Sequence, residues 1–187
     1  RIDGGARRGR HRGRCARFGW ARSWATDLGS PPVTVFLVRH GSAGHRDDAN
    51  PDDSRRPLDP AGQRQAQRIM ALLAQHDIGW VMSSPALRCV ETVSPLATAC
   101  EIDIEESHDL YEGSDVERSW ALLEIAAKRD DDVVLCSHGD VIPELVRRAQ
   151  HRGMNVPGKA GCSKGSIWSL DWVDDHFVHG EYTPTRD

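Results

Sequence analysis

The sequence lacks long apolar runs and ordered cysteine patterns. No apolar stretch in its 187 residues approaches the roughly 18 residues that span a membrane. Its five cysteines are irregularly spaced, with no C-x-x-C pair and no Cys/His cluster of the kind that binds zinc. These absences predict a protein of a reducing, cytoplasmic compartment that makes no membrane contact.

Net positive charge is confined to the first thirty residues. Residues 1–30 hold eight arginines against two aspartates, a net charge of +6, so the rest of this −4 chain carries −10. The segment is rich in Gly and Arg, has no apolar period and lacks the apolar centre of a secretory signal. We expect residues 1–32 to be a disordered extension. An arm that binds nucleic acid through arginine–phosphate contacts, or a fragment of a longer segment, are the alternatives.

Residues 33–187 are predicted to form one domain of alternating strands and helices. Apolar runs predict strands over 34–38, 80–83, 102–105, 133–137, 166–172 and 177–182. Capping signals predict helices that begin near Asp59-Pro60, Ser84-Pro85 and the capping box Ser114–Glu117. A fourth helix is predicted from about Val141 to Gln150. This order predicts an α/β, three-layer sandwich: a mainly parallel sheet with helices on both faces.

Two of the predicted strands end in the same dipeptide. The run beginning at Val35 stops at His40-Gly41, and the run beginning at Val133 stops at His138-Gly139. The carboxyl ends of parallel strands are where open α/β sheets place their sites. Two such ends predict one pocket that holds two imidazoles.

The residues around the first histidine are suited to phosphoryl transfer. A neutral His40 is nucleophilic near pH 7, Arg39 offers a planar fork for phosphate oxygens, and Gly41 lets the backbone approach a ligand closely. Arg88, in the first turn of a helix that starts at a strand end, could complete a phosphate clamp. The structural alternatives are a core histidine beside a surface arginine at Arg39-His40, and a solvated helix-surface arginine at Arg88.

A metal site is the main chemical rival for the histidines, and the sequence argues against it. Zinc ligands on a helix usually lie three or four positions apart, whereas His40 and His138 are far apart in the chain. Two nearby arginines would also repel a dication. We therefore expect neither a metal nor another cofactor.

Three motifs, taken together and in order, resemble the histidine phosphatase (phosphoglycerate mutase-like) superfamily. They are Arg39-His40-Gly41, Arg88 after Ser83-Ser84-Pro85, and Ser137-His138-Gly139. The likeness covers about residues 33–182. Within the superfamily the chain is most similar to SixA-type phosphohistidine phosphatases and to the phosphatase-like domain that follows a Nudix domain in some actinobacterial nucleotide hydrolases.

The resemblance implies a phosphoglycerate mutase-like fold and a role for each motif residue. His40 would be the nucleophile that becomes a phosphohistidine, and Arg39, Arg88 and His138 would hold the phosphoryl group. Glu112 is the candidate acid for the leaving group, with a solvated loop carboxylate as its alternative. Gly41 and Gly139 complete the predicted substrate-binding set together with Arg46, an extra cation that stands where mutase-like members often have Asn and that would suit an anionic substrate.

The predicted activity is that of a metal-independent phosphatase acting on protein phosphohistidine. A phosphatase of nucleotides or other small phosphomonoesters is the first alternative. A non-catalytic phosphate-binding module is the second, and a nucleic-acid binder that uses its arginine-rich terminus and carries a vestigial pocket is the third. The expected partner is accordingly a phosphorylated protein or a small phosphorylated molecule.

Overall fold

A computed structural model describes residues 32–46 and 52–185 of the chain. Its strands are β1 (Val33–Arg39), β2 (Ile78–Ser83), β3 (Ile104–Glu106), β4 (Asp132–Ser137), β5 (Ile167–Val173) and β6 (His176–Thr183). Its α-helices are α1 (Pro60–Leu73), α2 (Leu87–Cys100), α3 (Val116–Ala127) and α4 (Val141–His151). Short 3-10 helices cover Asp53–Arg55 and His108–Leu110.

The six strands form one mixed sheet in the order β3-β2-β4-β1-β5-β6. The first four run parallel, and β5 is antiparallel to both of its neighbours, β1 and β6. β1 lies directly beside β4, with Arg39 opposite Ser137, so the two His-Gly pairs follow adjacent parallel strands at the same edge. The predicted α/β fold with a mainly parallel sheet is confirmed.

The helices cover both faces of the sheet because successive strand residues point to opposite sides. In β1, Phe36 and Val38 pack with buried residues of α1 and α2, whereas Val35 and Leu37 pack with those of α3 and α4. All four of these β1 side chains are buried. The sheet therefore divides two apolar cores, and the three-layer prediction is confirmed.

The helix-start signals are correct at α1 and one residue early at α3. Asp59 caps α1 by accepting a 2.8 Å hydrogen bond from the Gly62 amide, and Pro60 opens the helix. At α3 the cap is Asp115, whose side chain accepts from the amide of Glu117, and not Ser114 as the capping-box pattern predicted. The Ser114 hydroxyl donates instead to the carbonyl of Asp109, which removes it from the helix end.

The described part of the chain contains no helix with the length and apolar character needed to cross a membrane. The extension predicted for residues 1–32 lies, except for its last residue, outside the described residues. Both its predicted disorder and its nucleic-acid alternative stay predictions.

Candidate active site

His40 is the first residue after β1 and lies buried at the carboxyl edge of the sheet. Its backbone amide donates to the Ser137 carbonyl across the strand pair (3.1 Å), and the residue is only 6% exposed. Its Nδ1 lies 2.8 Å from the carbonyl oxygen of Gly41. Because a carbonyl only accepts, Nδ1 carries the proton, and Nε2 keeps its lone pair.

The surroundings of His40 favour the neutral ring. Burial is the largest effect and lowers the pKa of His40 to about 3, although the hydrogen bond to the Gly41 carbonyl opposes the shift. The positive charges of Arg88 and Arg39 and the neighbouring His138 lower this pKa further. His40 is therefore uncharged at neutral pH, the form in which an imidazole is nucleophilic.

His138 follows β4 and packs beside His40. The two rings have centroids 5.3 Å apart and an interplanar angle of 63°. The Nδ1 of His138 lies 3.3 Å from Nη2 of Arg88, and its Nε2 lies 2.8 Å from the hydroxyl of Ser84. Since a guanidinium only donates, Nδ1 accepts from Arg88 and Nε2 donates to Ser84.

Ser84 supports His138. It does not cap α2, although the Ser84-Pro85 signal predicted that it would. The helix begins at Leu87, and its N-cap is Ala86, whose methyl group offers no acceptor. The buried Ser84 hydroxyl is committed to His138 and also accepts a long hydrogen bond from the Ala86 amide (3.3 Å). The predicted cap at Ser84 is therefore wrong, because the fold commits its hydroxyl to His138.

Arg88 is the second residue of α2, and its side chain is only 1% exposed. Nη1 donates to the backbone carbonyl of Asp53 (2.8 Å) and lies 3.2 Å from the Asp53 carboxylate. Nη2 donates to Oε2 of Glu112 (3.0 Å) and reaches His138. Nε is buried and has no hydrogen-bond partner among the described residues. The surface-arginine alternative for Arg88 is therefore wrong.

Arg39, the last residue of β1, brings a second guanidinium to the same edge. Its Nη1 donates to the carbonyl of Cys162, and its Nε is buried without a partner in the described part of the chain. The guanidinium lies against Gly139, where an added Cβ would be 2.6 Å from Cζ of Arg39. Gly139 therefore provides the space that this arginine occupies.

Gly41 is held by Thr92, a residue that the sequence analysis did not select. Its amide donates to the Thr92 hydroxyl (2.9 Å), which donates in turn to the Arg88 carbonyl (2.6 Å). A Cβ on Gly41 would lie 3.0 Å from the carbonyl oxygen of Gly62 in α1. Thr92 thus links the turn after His40 to α2. A threonine inside an apolar helix face carries no sequence signal for this role.

The two remaining predicted residues lie at the rim. The Glu112 side chain is 47% exposed and reaches the site through its ion pair with Arg88. Arg46 is exposed, and its positive charge contributes a small part of the lowering of the pKa of Asp53, after Arg56 and Arg88. Arg46 therefore lies on the Asp53 side of the site, and the structure gives it no contact with the two histidines.

The assembled site brings two neighbouring imidazoles together with the buried Arg88 and the half-buried Arg39, and the Nε of each arginine is buried without a partner among the described residues. Guanidinium N–H groups match the oxygens of a tetrahedral anion, and the lone pair of His40 Nε2 is a nucleophile. Among residues 32–46 and 52–185, no cluster of three or more His, Cys, Asp or Glu side chains could hold a metal ion. The arrangement can bind an oxyanion by charge-assisted hydrogen bonds.

This fold and these strand-end motifs define a phosphoglycerate mutase-like protein. The model of the histidine phosphatase superfamily (branch 1) matches residues 35–116. This match places residues 35–116 in the histidine phosphatase superfamily.

Three relatives illustrate the likeness. The 8-oxo-(d)GTP phosphatase of Mycolicibacterium smegmatis is 34% identical over 158 residues, which are 82% of this chain and 49% of that protein. The chain thus spans about half the length of this curated relative. The protein histidine phosphatase SixA, solved with tungstate, superposes with a TM-score of 0.64 at 23% identity and covers 81% of this chain and 94% of that one.

The third relative is a phosphoserine phosphatase of Entamoeba histolytica, solved with 3-phosphoglyceric acid. It superposes with a TM-score of 0.62 at 18% identity, over 82% of this chain and 98% of that one. At these identities the two structural likenesses show the fold alone.

Proposed function

We propose that this chain is a metal-independent phosphatase in which His40 forms a phosphohistidine intermediate. The observation that carries the proposal is the neutral, buried His40, whose Nδ1 donates to Gly41 and whose Nε2 has a free lone pair. Nε2 attacks phosphorus, and the bond from phosphorus to the leaving nitrogen or oxygen breaks as the N–P bond forms. Water then attacks phosphorus, releasing orthophosphate and restoring His40.

The neighbouring groups hold the transferring phosphoryl group. Arg39 and Arg88 provide the positive charge that metal ions supply in other phosphoryl-transfer sites, so the reaction needs no metal. His138 adds a polar ring beside the nucleophile, while Gly41 and Gly139 keep the backbone close to the ligand. Arg46, at the exposed rim, attracts the anionic substrate.

Protein phosphohistidine is the substrate that we favour. The imidazole of a phosphohistidine leaves readily, so its transfer needs no strong acid. This suits Glu112, whose carboxylate is ion-paired with Arg88 and half exposed. A short catalytic body without an inserted lid would also admit a protein surface.

A nucleotide or other small phosphomonoester is the second candidate substrate. The observation that favours it is the 34% identity to an 8-oxo-(d)GTP phosphatase. For such a substrate the leaving alkoxide or phosphate requires a proton donor, and Glu112 would be that acid. The two substrate classes therefore differ in whether they need Glu112 as a proton donor.

The decisive experiment is to trap the phosphoenzyme. Wild type is mixed with a radiolabelled phosphohistidine protein, nucleotide or sugar phosphate, quenched, and tested for bound label. We expect a label that is acid-labile and alkali-stable on wild type, and none on His40→Asn. A label on serine or cysteine, or full turnover by His40→Asn, would refute the mechanism. The best-labelling compound ranks the two substrate classes.

A further inference from the structure

Asp53, a residue of the polar segment that follows β1, holds the guanidinium of Arg88 in place. Nη1 of Arg88 contacts Asp53 twice, donating to its backbone carbonyl at 2.8 Å and lying 3.2 Å from carboxylate Oδ2. Both side chains are shielded, at 1% and 8% exposure. Asp53 thus engages the Nη1 end of the guanidinium and leaves the opposite edge for other partners.

A second arginine, Arg56, binds the same carboxylate. Nε and Nη2 of Arg56 donate to the two Asp53 oxygens at 2.6 and 2.8 Å, a bidentate pair. The third donor group, Nη1, reaches the carbonyl of Ala43 (2.9 Å), three residues after His40. The Asp53–Arg56 pair therefore connects Arg88 on α2 to the segment that leaves His40.

We propose that Asp53 is a positioning residue for Arg88, and that Arg56 couples this support to the segment after His40. The inference rests on the proposed function, in which Arg88 binds the phosphoryl group. Asp53 itself touches no reacting atom. It acts by fixing the edge that Arg88 turns toward the substrate.

The hydrogen-bonding pattern of Arg88 shows which edge this is. With Nη1 committed to Asp53, the unpartnered Nε and Nη2 share the opposite edge, and Nη2 meets His138 and Glu112. On this edge a phosphoryl oxygen can accept from Nε, and a second oxygen can accept from Nη2 in place of the half-exposed Glu112 carboxylate. Without Asp53, the nearest carboxylate is that of Glu112, which already binds Nη2 and would draw the guanidinium toward the rim.

Asp53 keeps its negative charge at neutral pH. The hydrogen bonds from Arg56 are the main cause that lowers the pKa of Asp53, and the nearby Arg88 lowers it further, against an opposing effect of burial. A carboxylate shared between two guanidiniums also prevents the two cations from repelling each other. Both effects keep Arg88 in one orientation before substrate arrives.

The test compares Asp53→Asn with wild type in turnover and in inhibition by inorganic phosphate. The amide keeps the shape of the side chain but loses its charge, and its nitrogen cannot accept from an arginine. We expect kcat/KM to fall about 10- to 100-fold, mainly through a higher KM, with a matching rise in the phosphate inhibition constant. Arg56→Met should change both in the same direction by a smaller factor, and it keeps the proposal testable if Asp53→Asn does not fold.

A matched control is Asp131→Asn. Asp131 accepts from Nε of Arg129 at 2.9 Å and is also partly buried, but it precedes β4, at the end of that strand opposite His138. This variant removes a comparable ion pair and should leave KM and phosphate inhibition unchanged. Equal losses in both variants would show that Asp53 serves only general stability.

A double-mutant cycle with Arg88→Ala distinguishes a positioning role of Asp53 from a general role in stability. If Asp53 acts through Arg88, then adding Asp53→Asn to Arg88→Ala costs no further kcat/KM. The same fold-loss in both backgrounds would overturn the inference, as would wild-type kinetics in Asp53→Asn. If wild type itself neither binds phosphate nor turns over any phosphorylated compound, the proposed function fails and this inference fails with it.

Discussion

Replacing His40 by asparagine should change how the stability of the protein depends on pH. The Asn side-chain nitrogen can take the place of Nδ1 and keep the hydrogen bond to the Gly41 carbonyl. The substitution therefore removes the titrating ring from the site and preserves its main local contact. Any difference in pH response reports the electrostatic cost of protonating His40.

The sign and size of this stability change follow from the lowered pKa of His40. Folding moves the pKa of His40 from 6.5 to about 3, so protons bind the unfolded chain more tightly than the folded one. The stability contributed by the neutral ring is complete above pH 6.5 and is lost as the pH falls toward 3. At pH 5 the loss amounts to about 2 kcal/mol, because the unfolded histidine is almost fully protonated there and the folded one is not.

The assay is urea unfolding of wild type and His40→Asn at pH 7.5 and pH 5.0. All other groups titrate in both proteins. Between the two pH values the free energy of unfolding of the wild type should therefore fall by about 2 kcal/mol more than that of the variant. His151→Asn, which removes an exposed histidine of α4, should behave as wild type. Equal losses in wild type and His40→Asn would refute the reasoning, because His40 would then accept a proton in the fold without penalty.

Three further outcomes are expected. Gly139→Ala places a Cβ 2.6 Å from Cζ of Arg39 and should raise the phosphate inhibition constant about tenfold or more, with unchanged inhibition contradicting the packing argument. Glu112→Gln should lower phosphomonoester turnover by about 10²–10⁴-fold and phosphohistidine turnover little, and equal losses would mean that Glu112 only positions substrate. Activity should survive dialysis against a chelator, since Arg39 and Arg88 supply the positive charge; a loss restored by a divalent cation would contradict this.

The sheet and the two histidines could be predicted from local sequence. β1 and β4 are short runs of apolar, largely β-branched residues that end at His-Gly, and a buried parallel strand tolerates little else. Their carboxyl ends meet at one edge in any parallel arrangement that makes them neighbours. The positions of His40 and His138 therefore follow from chain pattern and sheet geometry together.

The helix ends were less predictable because several polar residues compete for one role. Ser84 and Ser114 both stand where a cap is expected, yet each makes another bond, to His138 and to the Asp109 carbonyl. A hydroxyl goes to the partner that the tertiary fold brings nearest. For Ser84 that partner lies 54 residues away in the chain, where local pattern cannot detect it.

The sequence by itself determined the strand–helix order, the strand-end motifs and the candidate chemistry of Arg39, His40, Arg88 and His138. Only the tertiary structure decided that His40 is neutral, because burial and neighbouring cations lower its pKa. Only the structure also assigned the Nη1 end of Arg88 to Asp53. Periodicity and capping act within a few residues, whereas desolvation and ion pairing depend on what the completed fold packs around a group.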